Sequence, residues 1–203
     1  MNVRLRFNVG FRAANWFGGE LLVNNYDINI QLITQTLDPM DHNVCMGRIR
    51  TVFEMLENSV LINQTDVGKI DELTRCGMRV VALPQEPIDQ IVGITLFEKL
   101  NSVLEERMRV TDLDLCSLQG DNIWFMHSEH ERIDISTNSG WWDDTGPLCH
   151  NILQSPNGNN VVKLTKPLTW EAFNLDWDYD DEDETEVNVD HRPTVIIKLK
   201  DEK

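Results

Sequence analysis

The apolar residues of this chain change period in a set order along its first 127 positions, and that order leaves few folds open. Residues 3–9 (VRLRFNV) alternate apolar and basic side chains, the period of a half-buried strand. Residues 20–36 alternate again, with Tyr26, Ile28, Ile30 and Leu32 on one face. Gly18 and Gly19 stand between the two runs, as a turn requires. From about 42 to 62 the spacing turns helical. Cys45, Ile49, Val52, Phe53, Leu56 and Val60 form one stripe, and Asp41 stands where a cap would. A second helix follows: Pro87 suits its first turn, Asp89 complements its dipole, and Ile88, Ile91, Val92, Leu96, Leu100, Val103 and Leu104 form its buried stripe. Residues 109–117 and 121–127 alternate once more around Gln119-Gly120-Asp121, a hairpin signal. The order strand, strand, helix, helix, strand, strand predicts an α+β fold. It is a four-stranded antiparallel sheet, ββααββ, with two helices on one face.

The remainder has a different character. The chain has 203 residues and a formal net charge of −16, and eight acidic residues fall within 176–186 (DWDYDDEDETE). Such a block repels itself and cannot be buried, so it predicts a solvated segment. Residues 135–170 are rich in Ser, Asn, Gly, Pro and Trp and read as loops, while TVIIKL at 194–199 reads as a last strand. The chain therefore divides into a regular core, 1–127, and an irregular extension, 128–203. An excess of acid disfavours direct contact with nucleic-acid phosphates. No run approaches the length of a membrane span, and the first residues lack the apolar block of a secretory signal. Cys45, Cys76, Cys116 and Cys149 contain no CxxC pair, so the expectation is reduced thiols in an intracellular, cytoplasmic protein.

Several strings in the core, taken in order, resemble the 6-pyruvoyl-tetrahydropterin synthase and 6-carboxy-tetrahydropterin synthase family. FRAAN at 11–15 is similar to that family's FSAAH, LVNNY at 22–26 to HGHNY, and LENSVL at 56–61 to LDHxxL. PIDQIVGITLFEKL at 87–100 is similar to its PTAEN helix, ending in LFEKL where the family has LFERL. The resemblance covers about 125 of the 203 residues. It implies the tunnelling fold, in which subunits close edge to edge into a barrel. A homo-oligomer, most simply a trimer-based ring, is then expected.

The departures from the family pattern bear on function. The resemblance implies a catalytic zinc on three histidines, and those positions here are Asn15, Leu22 and Asn24. Leucine has no donor atom, and amides are poor zinc ligands beside imidazole. No cysteine precedes Cys45 to serve as the family's base. The aspartate and histidine that assist it become Glu57 and Asn58, and asparagine does not titrate. The glutamate of PTAEN becomes Gln90, and the pterin-anchoring glutamate falls near Ser117. No cofactor is expected, and the balance is against an enzyme.

Other groupings carry competing readings. His127, His130, Cys149 and His150 could form a relocated metal site, but a polar loop is the simpler reading because Cys149 follows His130 by 19 positions of loop. Trp141 and Trp142, and the helically spaced Trp170, Phe173 and Trp177, suit either an aromatic anchor for a partner or a pin that holds the extension to its own domain. Asp180, Asp181, Glu182 and Asp183 suit contact with a basic protein, or simple solubility. The expected function is that of a non-catalytic, oligomeric binding or structural protein. The alternatives are a pterin or purine binder or residual lyase using His127, His130 or Cys116, and an acidic decoy of a nucleic-acid-binding protein.

Overall fold

The computed structural model describes residues 3–36, 38–131, 140–148 and 168–177. The predicted strand at 194–199, most of the acidic segment 176–186, and Cys149 and His150 lie outside them. β1 (Val3–Phe17) and β2 (Glu20–Thr34) form one long hairpin, paired without a break from Val3↔Thr34 to Phe17↔Glu20. Gly18 and Gly19 close it with φ of +60° and +89°, a two-residue turn whose hand matches the twist of the strands. α1 (Pro39–Leu56) follows, capped by Asp38, whose side chain accepts from the Met40 amide, with Pro39 in the first turn. Next come β3 (Ser59–Asn63), α2 (Val67–Arg75) and β4 (Val80–Leu83). α3 (Asp89–Leu104) leads into β5 (Met108–Ser117) and β6 (Phe125–Ser128).

The fold is mixed α/β: a six-stranded sheet in the order β4-β3-β1-β2-β5-β6, with three helices among the described residues. The neighbours β1, β2, β5 and β6 are antiparallel, whereas β3 runs parallel to β1 and β4 parallel to β3. The sheet is therefore larger than the four antiparallel strands expected from the sequence. β3 and β4 are short and buried on both sides, so SVLIN and VVAL carry no alternation to betray them. The same lack of contrast made Val60 look like the end of the α1 stripe. The helix stops at Leu56, and Val60 belongs to β3. Asp41 is not the cap; it lies in the first turn and pairs with Arg107 at 2.6 Å. Pro87 precedes the cap of α3, and β6 is shorter than the expected strand at 121–127.

α1 and α3 lie on one face of the sheet. Phe11, Tyr26, Ile28, Ile30 and Leu113 meet Ile49, Phe53, Leu96 and Leu100 there in a single core. The alternation of β3 and β4 sends Val60, Ile62 and Val80 to the other face, where Leu73 and Ile70 of α2 cover them with Ala14 and Trp16. Among the described residues no helix is long and apolar enough to cross a membrane.

Two buried cations tie the later segments to this framework. Lys99, wholly buried in α3, donates to the carbonyls of Trp141, Asp144 and Gly146 at 2.8, 2.6 and 2.7 Å. Ser102 adds a bond to the Trp142 carbonyl, and Trp141 Nε1 donates to Ala82 O of β4. Arg48 of α1 donates to the carbonyls of Leu175 and Val103 and to Glu105, while its guanidinium lies over the rings of Trp177 and Trp170 at 3.8 and 4.9 Å. Gly47, the residue before Arg48, admits the Leu175 side chain, which a Cβ would strike. Replacing Lys99 by Met keeps the chain length but strands three carbonyls. Lys99→Met is expected to cost about 3 kcal/mol, read from the urea midpoint.

Candidate functional site

The unbroken register of the β1–β2 hairpin decides what meets at its turn end. Asn15 is paired with Leu22 and Ala13 with Asn24, so Asn15, Leu22 and Asn24 share the helix-covered face with Tyr26. Asn15 is buried and fully engaged: Nδ2 donates to Pro87 O at 3.1 Å, and Oδ1 accepts from the Tyr26 hydroxyl at 2.9 Å. Phe11 stacks on the Tyr26 ring at 4.7 Å. Asn24, with no exposed surface, accepts at Oδ1 from the Gln119 amide at 3.0 Å. Its Nδ2 faces the Tyr26 phenol without the geometry of a hydrogen bond. Burial pushes the Tyr26 phenol far above its ordinary value, an effect that Asn15 and Asn24 offset only in part. This end of the sheet thus holds a neutral amide–phenol network.

Beside it opens a cleft of about 540 Å³, floored by Asn15 and Leu22. Its sides come from the start of α3 (Ile88, Asp89, Gln90) and from the loop between β5 and β6 (Ile123, Trp124). Asp121 and Asn122, with φ of 54° and 56°, turn that loop back over Ser117. Ser117 Oγ donates to Asp89 at 2.7 Å and accepts from the Gly120 amide at 3.0 Å. Any side chain at 120 would collide with the Asp89 carboxylate, so glycine is needed for this approach. Burial raises the Asp89 pKa, and the Ser117 bond opposes the shift. Asp89 is the one charged residue among those described that line the cleft.

The residues singled out from the sequence separate into groups. Asn15, Leu22 and Gln90 line the cleft, and Asn24 and Ser117 lie just behind it. Glu57 and Asn58 sit elsewhere, in a wide groove between the outer face of β1 and α2, where Glu57 accepts from the Arg12 amide and guanidinium. His127 is buried on β6 with its ring edge-on to Phe97 at 4.7 Å, whereas the His130 side chain is 87% exposed. The two imidazoles are not brought together, and Cys149, His150, Asp180, Asp181, Glu182 and Asp183 lie outside the described residues. Cys116 is buried, and burial together with Asp27 and Asp89 raises its pKa, which keeps it a thiol at neutral pH. Trp141, Trp142, Trp170 and Trp177 are buried and Phe173 partly so, all against the protein's own core.

Three participants were not named as site residues from sequence. Asp89 reads there only as a charge suited to a helix start, and Trp124 as one letter of a strand. Gly120 signals a turn but not what it must pass. Chemically the cleft offers amides, one carboxylate and aromatic surface. Among the described residues no group of three or more His, Cys, Asp or Glu is arranged to hold a metal ion. No family model matches the chain, and no curated protein matches it.

Asn15, Leu22 and Asn24 are neighbours on one sheet face. Asn15→His, Leu22→His and Asn24→His together would place three imidazoles on adjacent positions of one sheet face. This variant is expected to bind one Zn²⁺ per chain, measured by competition with a chromophoric chelator. Asp89 gives a second prediction. Its folded pKa lies above its unfolded one, so the folded state holds the proton more tightly, and stability falls as pH rises through that window. Relative to Asp89→Asn, the wild-type protein should lose stability as pH is raised upward from the ordinary carboxylate value. Urea midpoints across the range provide the check.

Proposed function

We propose that this protein is a non-catalytic, repurposed chain on a pterin-synthase-like scaffold, acting as an oligomeric binding or structural protein. The observation that carries the reading is the state of the hairpin end. Where the resemblance calls for three histidines, Asn15 spends both ends of its amide on Tyr26 and Pro87, and Asn24 accepts from Gln119. Leu22 supplies no donor atom. An amide–phenol network of this kind can hold a loop and a helix start in place, but its amides neither bind Zn²⁺ well nor titrate.

The scaffold part of the reading draws support from the consecutive antiparallel pairing of β1, β2, β5 and β6, with α1 and α3 between the second and third of these strands on one face. On that view β3, α2 and β4 are an insertion added in parallel outside β1. The assembly part rests on what is left open. Arg4, Arg6 and Arg12 of β1 and Asp27 of β2 are exposed on the sheet face away from α1 and α3. Asp112 and Asp114 of β5 are half-buried on that side. β4 and β6 end the sheet with unpaired edges among the described residues. Edge-to-edge closure of copies into a trimer-based ring would cover both features.

Native mass spectrometry of the purified full chain, with metal content measured on the same sample, tests this. The expected result is a multiple of three chains without stoichiometric zinc. A monomer overturns the assembly, and one tightly bound zinc per chain overturns the non-catalytic assignment.

A further inference from the structure

The cleft beside Asn15 has an unusual balance of surface for a protein with a net charge of −16. Its rim is apolar and exposed: Ile123 is 71% exposed, Met126 68% and Trp124 46%, joined by Phe17 and Ile88. The large apolar side chains of the described later segments 140–148 and 168–177 are mostly folded inward, so this group stands out as apolar surface left exposed among the described residues. Inside the rim, the one charged group among the described lining residues is the Asp89 carboxylate. Ser117 donates one hydroxyl hydrogen bond to it, shared between Oδ1 at 2.7 Å and Oδ2 at 3.0 Å. A carboxylate has about four acceptor positions, so among the described residues most of its capacity is unused. Gly120 leaves room for the carboxylate close against the β5–β6 loop, and no described lysine or arginine lines the cleft to neutralise it.

A partly buried carboxylate with spare acceptors, an exposed indole and an apolar collar together specify a ligand. It must carry a cation with several N–H donors and be flanked by apolar groups. A guanidinium meets both inner demands, forking onto the carboxylate and lying against the indole. The collar adds burial of the flanking side chains and drives water from the ion pair.

We propose that this cleft is a docking site for a basic–apolar peptide segment of a partner protein, with an arginine on Asp89 and Trp124 and apolar neighbours on Ile123 and Met126. The proposal deepens the binding-protein reading above and rests on it, but does not need the ring. Charge complementarity favours such a partner twice over, once at Asp89 and once through the acidic chain as a whole. Because burial has raised the Asp89 pKa, docking of a cation should be accompanied by proton release in mildly acidic buffer.

The test is a fluorescence-anisotropy titration of the full chain with a fluorescein-labelled peptide having a Leu-Arg-Leu core in a glycine-serine background. Saturable binding is expected, weakened roughly tenfold or more by Asp89→Asn. Trp124→Ala should weaken it roughly threefold. Trp124 is exposed, so that variant keeps the test valid even if Asp89→Asn misfolds. A full-length variant with Asp180→Asn, Asp181→Asn, Glu182→Gln and Asp183→Asn should bind within about twofold of the wild type. Loss of binding there, with binding retained in Asp89→Asn and Trp124→Ala, moves the interaction to the acidic run and overturns the proposal. So do equal affinity for a Leu-Glu-Leu peptide, no saturation by about 1 mM peptide, or equal affinity for free agmatine, which would mark a small-molecule site. The oligomer and zinc content of the same sample are read separately, so failure of the peptide and failure of the parent reading remain distinguishable.

Discussion

The pairing of β1 with β2 is the constraint on which the rest of the structure depends. The two strands stay in register over their whole length, from Val3↔Thr34 to Phe17↔Glu20. A strand has a period of two, so one slip would send every side chain to the opposite face. That single register puts Phe11, Tyr26, Ile28 and Ile30 under the helices and leaves Arg4, Arg6 and Arg12 on the other side. It also provides the edges on which the other strands add: β3 beside the end of β1, and β5 along β2. The cleft follows from the same register, since Asn15 and Leu22 are cross-strand partners at the end where α3 begins.

The hairpin sets the framework, and buried cations attach what comes after it. Lys99 and Arg48 are each at most 1% exposed. A buried charge is costly unless its hydrogen bonds are met, and both side chains meet theirs largely with backbone carbonyls. This explains how a segment without regular structure, 140–148, can be held against a helix. Carbonyls do not depend on side-chain identity, so such a loop can be recruited with little sequence signature. Gly47 and Gly140 complete the arrangement, each leaving space that Leu175 or the Trp142 ring occupies.

These features explain which parts of the molecule were legible in its sequence. β2, and β1 over residues 3–9, were readable because one face is covered and the other is open, which writes an alternation into the letters; β1 runs on to Phe17, beyond the strand read from the alternation. α1 and α3 were readable because each carries a continuous buried stripe. β3 and β4 were not, because strands buried on both faces show only a short apolar run. α2, with Leu73 as its one buried residue, covers a small satellite cluster and leaves little pattern. The positions Asn15, Leu22 and Asn24 were legible as a set only through the resemblance. Their meeting with Asp89 was not, since it requires Gly120 to bring the β5–β6 loop against the start of α3. Lys99 gave no signal at all: a lysine inside an apolar helical run reads as a solvent-facing position.

The burial of the tryptophans also changes where an outward function can be located. Trp141 and Trp142 pack against α3 and β4, and Trp170 and Trp177 enclose Arg48. Their aromatic surface is thus used in holding the extension to the core. Part of the exposed apolar surface, Leu118, Ile123, Trp124 and Met126, lies on the loop after β5 and on β6, held there for a mechanical reason. Positive φ at Asp121 and Asn122 forces a tight return, and Phe125 is drawn inward against Gly93. The period of the strand then turns Met126 outward while His127 points in. Ile123 and Trp124 lie in the short stretch between turn and strand, where no described element covers them. Their exposure is therefore a consequence of the backbone path around Gly120, the same path that encloses the Asp89 carboxylate.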